Sequence, residues 1–149
     1  MKLYVSIVLC LLCIGALAQN EKNYSQTFNS NSYRSGKWID DKSDWDFTET
    51  IKRVSKITIK DKKVFLSDIE VLDILDDGQD TSDGDSKSIQ WNCKDKEGED
   101  VIITVMQFAD GESTFSIFYF DDYNACNIYD LTTTTDVFGS GFHFPRKNN

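Results

Sequence analysis

The fold is decided by residues 87–131, which read KSIQWNCKDKEGEDVIITVMQFADGESTFSIFYFDDYNACNIYDL. Four runs in this stretch carry apolar side chains in alternating positions, as β-strands do when they bury one or both faces. They cover residues 87–94, 100–108, 113–120 and 125–131. Turn residues separate the runs, and Asp110-Gly111 is a strong hairpin signal. The stretch therefore predicts a four-stranded antiparallel meander.

The segment before this meander shows the same pattern. Residues 55–60 and 63–67 are predicted strands of a hairpin that turns at residues 61–62. Residues 68–75 form another predicted strand, in which the apolar side chains change face near Val71. A β-bulge near Val71, or burial on both faces, would explain the change.

Strands that are apolar on both faces need cover on both sides, which an open single-layer sheet does not provide. Residues 100–108 are such a strand, because Val101, Ile103 and Val105 alternate with other apolar side chains. We therefore predict an all-β fold, in which an antiparallel meander forms a small barrel or a two-sheet sandwich of roughly seven to nine strands.

Residues 1–18 have the features of a cleavable signal peptide: Lys2, an apolar run, and small residues at positions 16 and 18. The run of about fifteen apolar residues is shorter than the roughly 20 that span a bilayer. The sequence predicts a secreted or periplasmic protein with no membrane span after cleavage. Residues 19–149 are predicted to form a single domain, with a flexible polar leader over about residues 19–35.

The formal net charge is −9, and loss of Lys2 with the signal makes it more negative. Negative charge repels the phosphates of nucleic acids and the headgroups of anionic lipids. We therefore predict no nucleic-acid partner and no binding to a membrane surface, whereas cationic partners remain possible. We also expect a monomer.

Two cysteines remain after the signal, Cys93 and Cys126. Export favours a disulfide between them. In a flat meander, however, three strand spacings separate them by about 14 Å, whereas a disulfide needs Cα atoms within about 7 Å. The sequence leaves the bond open, since it forms only if the sheet curls. With His143 as the only histidine, nitrogen and sulfur ligands are too few for a closed zinc site, so we predict no metal and no cofactor.

No catalytic residues are predicted, and we expect that the protein is not an enzyme. His143 lies near the C-terminus, and no serine has a recognisable nucleophile motif around it. The acidic run at residues 76–85 offers oxygen atoms to calcium but fails the EF-hand spacing, because no glutamate stands at the twelfth position. The run is better explained as a solvated loop, and calcium binding is left undecided.

The candidate ligand-binding residues are Trp38, Trp45 and Trp91, which either line a cavity or fill the core. Trp38 and Trp45 differ from Trp91 because four acidic residues flank them. These are Asp40, Asp41, Asp44 and Asp46. Aromatic rings beside carboxylates suit recognition of a cationic surface, although the two rings could equally pack over a barrel end.

Gly36-Lys37-Trp38 resembles the Gly-x-Trp signature in the first strand of lipocalins. The resemblance implies an antiparallel barrel whose tryptophan closes one end over an apolar cavity. Residues 91–131 are similar to small secreted bacterial β-rich proteins of uncharacterised activity. This second resemblance implies export and β-structure, and it implies no activity.

Two hypotheses of function follow. The first is an exported, lipocalin-like carrier that holds a small apolar ligand inside a closed barrel. The alternative is an acidic exported inhibitor or adaptor that binds a basic protein partner. The aromatic and acidic residues between Trp38 and Asp46 would contribute most to the second.

Overall fold

The structure is a computed structural model that describes residues 25–67, 70–120 and 124–132. The predicted signal peptide at residues 1–18 lies outside the described residues, as does His143. Within the described ranges, no helix has the length and apolar character of a membrane-spanning segment.

Most of the described chain is in β-strands. The strands are β1 Ser25–Ile39, β2 Asp44–Phe47, β3 Ile51–Lys60, β4 Lys63–Leu66, β5 Glu70–Ile74, β6 Gln79–Asp80, β7 Ser86–Lys94, β8 Asp100–Phe108, β9 Ser113–Tyr119 and β10 Ala125–Leu131. A 3₁₀ turn at Asp40–Lys42 connects β1 to β2. The predicted strands from residue 55 onward match β3 to β5 and β7 to β10 closely.

Eight strands close into an antiparallel barrel in the order β1-β3-β4-β5-β7-β8-β9-β10, and β10 pairs back to β1. The predicted all-β meander is confirmed, and the barrel is the form that it takes. Strands β2 and β6 are additions to this barrel, since β2 pairs with β1 and β6 pairs with β7. Closure gives every strand of the barrel two neighbours, which satisfies backbone groups that an open sheet would expose.

Strand β1 makes this closure possible because it is long enough to pair on both sides. Its residues 25–33 pair with β3 and its residues 30–37 pair with β10. Between Ser30 and Ser32 the register shifts at a β-bulge. The Ser30 hydroxyl donates to the Ser32 carbonyl oxygen at 2.7 Å and accepts the Ser32 N–H at 3.3 Å. The bulge therefore keeps its own polar groups bonded.

The predicted flexible leader is wrong from residue 25 onward, because strand β1 begins at Ser25. Phe28 and Tyr33 both pack in the interior although they are five positions apart, an odd spacing that regular alternation forbids. The bulge between them changes the face and restores the match. Because of this one extra residue, β1 lacks the regular alternation of apolar and polar side chains that predicts a strand.

The interior of the barrel is filled by apolar side chains from one face of each strand. The buried cluster consists of Phe28, Ile57, Ile59, Val64, Leu66, Leu72, Ile74, Ile89, Trp91, Cys93, Val101, Ile103, Val105, Phe115, Ile117 and Tyr129. Complete burial of such a side chain contributes about 1.5–3 kcal/mol, so this cluster is the main source of stability. The opposite faces form the outer wall.

A second irregularity separates β5 from β6. Both strands pair with the same side of β7, and the chain bulges outward between them at Asp76–Gly78. The Asp76 carboxylate accepts the Gly78 N–H at 3.0 Å and the Asn92 side-chain N–H at 2.6 Å, which fastens the bulge to β7. The predicted change of face near Val71 has another explanation, since Val71 lies on the outer wall and is 44% exposed.

Gly78 is predicted to tolerate no side chain. Its φ is +85°, and a Cβ there would lie 2.6 Å from Trp91 Nε1. Gly98 has the same φ of +85° but open space around it, so it is a matched control. We expect Gly98→Ala to lower the free energy of unfolding by about 1–2 kcal/mol through backbone strain alone. Gly78→Ala should cost about 1–3 kcal/mol more because the methyl group overpacks against the indole.

Urea unfolding of the two variants, followed by circular dichroism, measures the difference. Equal losses of stability in the two variants would show that a methyl group at position 78 does not overpack against Trp91.

Candidate functional site

The three tryptophans predicted as ligand-binding residues lie in two different environments. Trp91 is in the buried interior cluster and is 6% exposed. Tyr33 faces the interior, so Trp38, five positions further along the same strand, faces the outer wall. Trp45 is the cross-strand partner of Trp38 and lies on the same outer face. The structure therefore brings Trp38 and Trp45 together and separates them from Trp91.

Trp38 and Trp45 belong to an outer aromatic cluster, defined here as Trp38, Trp45, Phe47 and Phe118. The rings of Trp38 and Trp45 meet edge to face with centroids 5.5 Å apart. Trp45 also packs on Phe118 at 5.8 Å and on Phe47 at 6.4 Å. Such contacts contribute about 0.5–1.5 kcal/mol each beyond the area they bury, so the rings hold one another in place.

Two small residues form the floor of this cluster. Gly36 lies opposite Phe47 on one side and Cys126 on the other. A Cβ on Gly36 would lie 2.7 Å from Phe47 Cε1 and 2.9 Å from Cys126 Sγ. Because Gly36 and Cys126 take little space, the rings of β2 can lean across β1 and β10 to reach Phe118 on β9.

One end of the cluster already holds a cation. The Arg34 guanidinium lies 5.5 Å from the centre of the Phe47 ring, a cation–π contact. Arg34 is on the same outward face as Gly36, two residues before it. The outer rings are thus chemically able to bind a guanidinium group.

The other end of the cluster opens into a cleft of about 250 Å³, which we name the rim cleft. Its apolar walls are Trp38, Trp45, Phe118 and Phe120, and its polar groups include Asp40 and Asn124. Phe120 is 53% exposed, an unusual amount for a large aromatic ring.

Asp40 lines the rim cleft, and three more carboxylates belong to the same turn and strand. Asp40 and Asp41 are in the 3₁₀ turn, and Asp44 and Asp46 are in β2; all four are exposed. Asp44 Oδ1 accepts the Trp45 N–H at 2.8 Å. Within the described residues, none of the four forms an ion pair. Lys37 lies opposite Asp46 in the pairing of β1 with β2 and offsets part of its charge, so the carboxylates most available to a partner are those of Asp40, Asp41 and Asp44.

The barrel interior has a polar layer at the end where β9 stops and β5 starts. The Tyr119 hydroxyl donates to Glu70 Oε2 at 2.7 Å, and the Ser35 hydroxyl donates to Asn127 Oδ1 at 2.7 Å. Burial, together with the hydrogen bond to Glu70, raises the pKa of Tyr119 well above its usual range. This layer covers the apolar cluster on the inside of the barrel.

The disulfide that the sequence left open is not formed: Cys93 and Cys126 are both free. The sheet does curl, but the two thiols lie on opposite sides of the barrel wall. Cys93 belongs to the interior cluster, whereas Cys126 packs under the outer rings. Burial raises the pKa of Cys93 to about 12, and burial also raises the pKa of Cys126.

In the acidic run at residues 76–85, which contains β6, carboxylates accept hydrogen bonds from the backbone of the turns. Asp83 Oδ1 accepts N–H groups from Asp85 and Ser86, and these bonds lower the pKa of Asp83. In the ranges that the structure describes, no three histidine, cysteine or acidic side chains are grouped so that they could hold a metal ion.

The sequence did not identify Phe118 and Phe120 as members of the site. Phe118 lies opposite Cys126 in the β9–β10 hairpin, a pairing that the turn between these strands could have indicated. Its contact with Trp45 needs the closure of β10 onto β1, for which the sequence has no local signal.

Both thiols are predicted to be unreactive in the native protein at pH 8, because burial keeps them protonated and covered. Ellman's reagent should label them slowly in buffer and rapidly in guanidinium chloride. The mass of the denatured, non-reduced protein should show that Cys93 and Cys126 are free thiols. Rapid native labelling of Cys93, or a mass two daltons lower, would contradict this arrangement.

Alkaline pH is predicted to destabilise the barrel through Tyr119. Its folded pKa is raised, so the stabilisation is complete below the unfolded pKa of about 10 and declines as pH rises beyond it. One such phenol changes the free energy of unfolding by up to about 1.4 kcal/mol per pH unit. Between pH 8 and pH 11, Tyr119→Phe should therefore lose less stability in urea than the natural chain. Equal losses in both proteins would refute the effect.

Comparison of the chain with protein-family models, with curated proteins and with solved structures finds no match.

Proposed function

We propose that this chain is an exported binding protein that uses the rim cleft to hold a basic segment of a protein partner. The observation that carries the proposal is an exposed aromatic cleft lined by Asp40, a carboxylate that has no ion-pair partner among the described residues. It corresponds to the inhibitor or adaptor hypothesis, and the binding needs no catalytic step. We expect the protein to act as a monomer.

The chemistry of the cleft suits arginine and lysine side chains. Their aliphatic stems can cover the rings of Trp38 and Phe120, while the charged group reaches Asp40. A cation over an aromatic face gains about 0.5–2 kcal/mol, depending on how far it is desolvated. The contact between Arg34 and Phe47 is an example of the same interaction within this chain.

Long-range electrostatics support the same partner. The net charge of −9 attracts basic proteins and speeds their encounter at low salt. Asp40, which lines the cleft, then orients the bound segment. Charged residues at such a rim act more on association rate and specificity than on affinity alone.

The lipocalin-like carrier of a small apolar ligand stays a prediction. A closed barrel is compatible with it, but the inward side chains of the described strands pack against one another. Trp38, the residue that carries the resemblance, lies on the outer wall beside Trp45. For these reasons we place the binding surface outside the barrel.

The proposal predicts that the basic octapeptide KRGKRGKR binds and that its acidic counterpart DEGDEGDE does not. Binding should change the tryptophan fluorescence, because Trp38 and Trp45 line the cleft. It should weaken as salt is raised from about 50 to 300 mM, since exposed charges are screened. Phe120→Ala should weaken binding about ten-fold by removing one aromatic contact.

Phe65→Ala is the matched control, because Phe65 is an aromatic residue of β4 that is 39% exposed and does not line the cleft. It should leave the affinity unchanged. The proposal fails if neither peptide binds, or if Phe65→Ala and Phe120→Ala weaken binding equally.

A further inference from the structure

Strand β2 is an edge beside the rim cleft. Among the described strands it pairs with β1 alone, over four residues that match Gly36 with Phe47 and Ile39 with Asp44. Each strand of the barrel has a neighbouring strand on both sides, whereas β2 has one neighbour in the described part of the chain. An edge of this kind offers backbone groups to an additional strand.

The direction of these backbone groups follows from two hydrogen bonds. The Thr48 N–H donates to the Ser35 carbonyl oxygen at 2.8 Å, and the Trp38 N–H donates away from β2, to Asn124 at 3.0 Å. Because antiparallel pairs alternate between bonded and non-bonded positions, the groups of Trp45 and Phe47 point away from β1. The Trp45 N–H already donates to Asp44 Oδ1.

Three backbone groups of β2 consequently stay available: the Trp45 carbonyl and both the N–H and the carbonyl of Phe47. Within the described residues, none has a hydrogen-bond partner. The side chains of Trp45 and Phe47 face the aromatic cluster, and those of Asp44 and Asp46 face the other side. Lys37 is the cross-strand partner of Asp46 and shares its face. The edge thus combines open backbone groups with an aromatic face and a face that carries two carboxylates and one lysine.

We infer that the basic partner segment binds as an extended strand added to β2, with basic and apolar side chains in alternating positions. This inference rests on the proposed function. In such an addition the backbone bonds supply affinity, and alternate side chains supply specificity. Along β2 the basic residues would lie on the face of Asp44 and Asp46, and the apolar residues on the face of Trp45 and Phe47. The basic side chain that enters the rim cleft would therefore belong to a part of the segment outside this pairing.

A second copy of this chain is a poor occupant of the same edge. Two β2 strands side by side would bring Asp44 and Asp46 of one copy next to the same residues of the other. Like charges in opposing positions of a sheet are destabilising. The acidic edge therefore favours a basic partner over self-association.

The test compares two heptapeptides of identical composition, KVKVKVK and its isomer KKKKVVV. It also compares KVKVKVK with a derivative in which alternate backbone nitrogens are methylated. Two forms of the methylated peptide are needed, one for each set of nitrogens. We expect KVKVKVK to bind at least ten-fold more tightly than KKKKVVV. One methylated form should lose about ten-fold or more, the effect of one lost hydrogen bond, and the other should bind normally.

Two further measurements follow the protein instead of the peptide. The Phe47 amide should exchange rapidly with solvent in the free protein and become protected when KVKVKVK binds, as measured by nuclear magnetic resonance. Asp46→Lys should weaken binding by repelling the basic residues. Glu112→Lys is the matched control, because Glu112 is an exposed acid in the β8–β9 turn with no ion pair among the described residues.

The outcomes separate this inference from the proposed function. If both isomers bind equally and the Phe47 amide stays unprotected, strand addition is overturned while binding of a basic segment stands. If neither isomer binds and KRGKRGKR also fails to bind, the proposed function itself is overturned.

Discussion

The pairing of β1 with β10 is the interaction on which the rest of the structure depends. It turns a meander with two open edges into a closed barrel, so that the apolar faces of β3 to β10 enclose one interior. The same pairing brings the β1–β2 hairpin beside β9. Without closure, Trp45 and Phe118 would lie at opposite ends of an open sheet, and neither the aromatic cluster nor the rim cleft would exist.

Where β1 pairs with β10, two residues of the outer wall have small side chains or none. Gly36 and Cys126 leave room for rings from two strands that are not neighbours to meet above them. These rings are not part of the buried interior cluster. Partly exposed aromatic residues are enriched at protein interfaces relative to the rest of the surface.

Sequence periodicity predicted strands β7 to β10 well because each buries apolar side chains at every second position. It missed β1 for two reasons: the bulge between Ser30 and Ser32 shifts the period, and the inward position before it is a serine, Ser30. For the site, the sequence selected Trp38, Trp45 and Trp91 as candidates and set the first two apart by their acidic neighbours. It could not predict that Trp91 lies on the other face of the wall, because a side chain's face depends on register, which local composition does not encode.

The sequence by itself determined an all-β chain, its acidic charge and the alternating runs that become the walls of the barrel. These properties are local, since each depends on residues within a few positions of one another. Only the tertiary structure decided that the sheet closes, that Cys93 and Cys126 face opposite sides of the wall, and that Phe118 joins Trp45. Those outcomes depend on which distant strands become neighbours, and β1 meets β10 through contacts about a hundred residues apart along the chain.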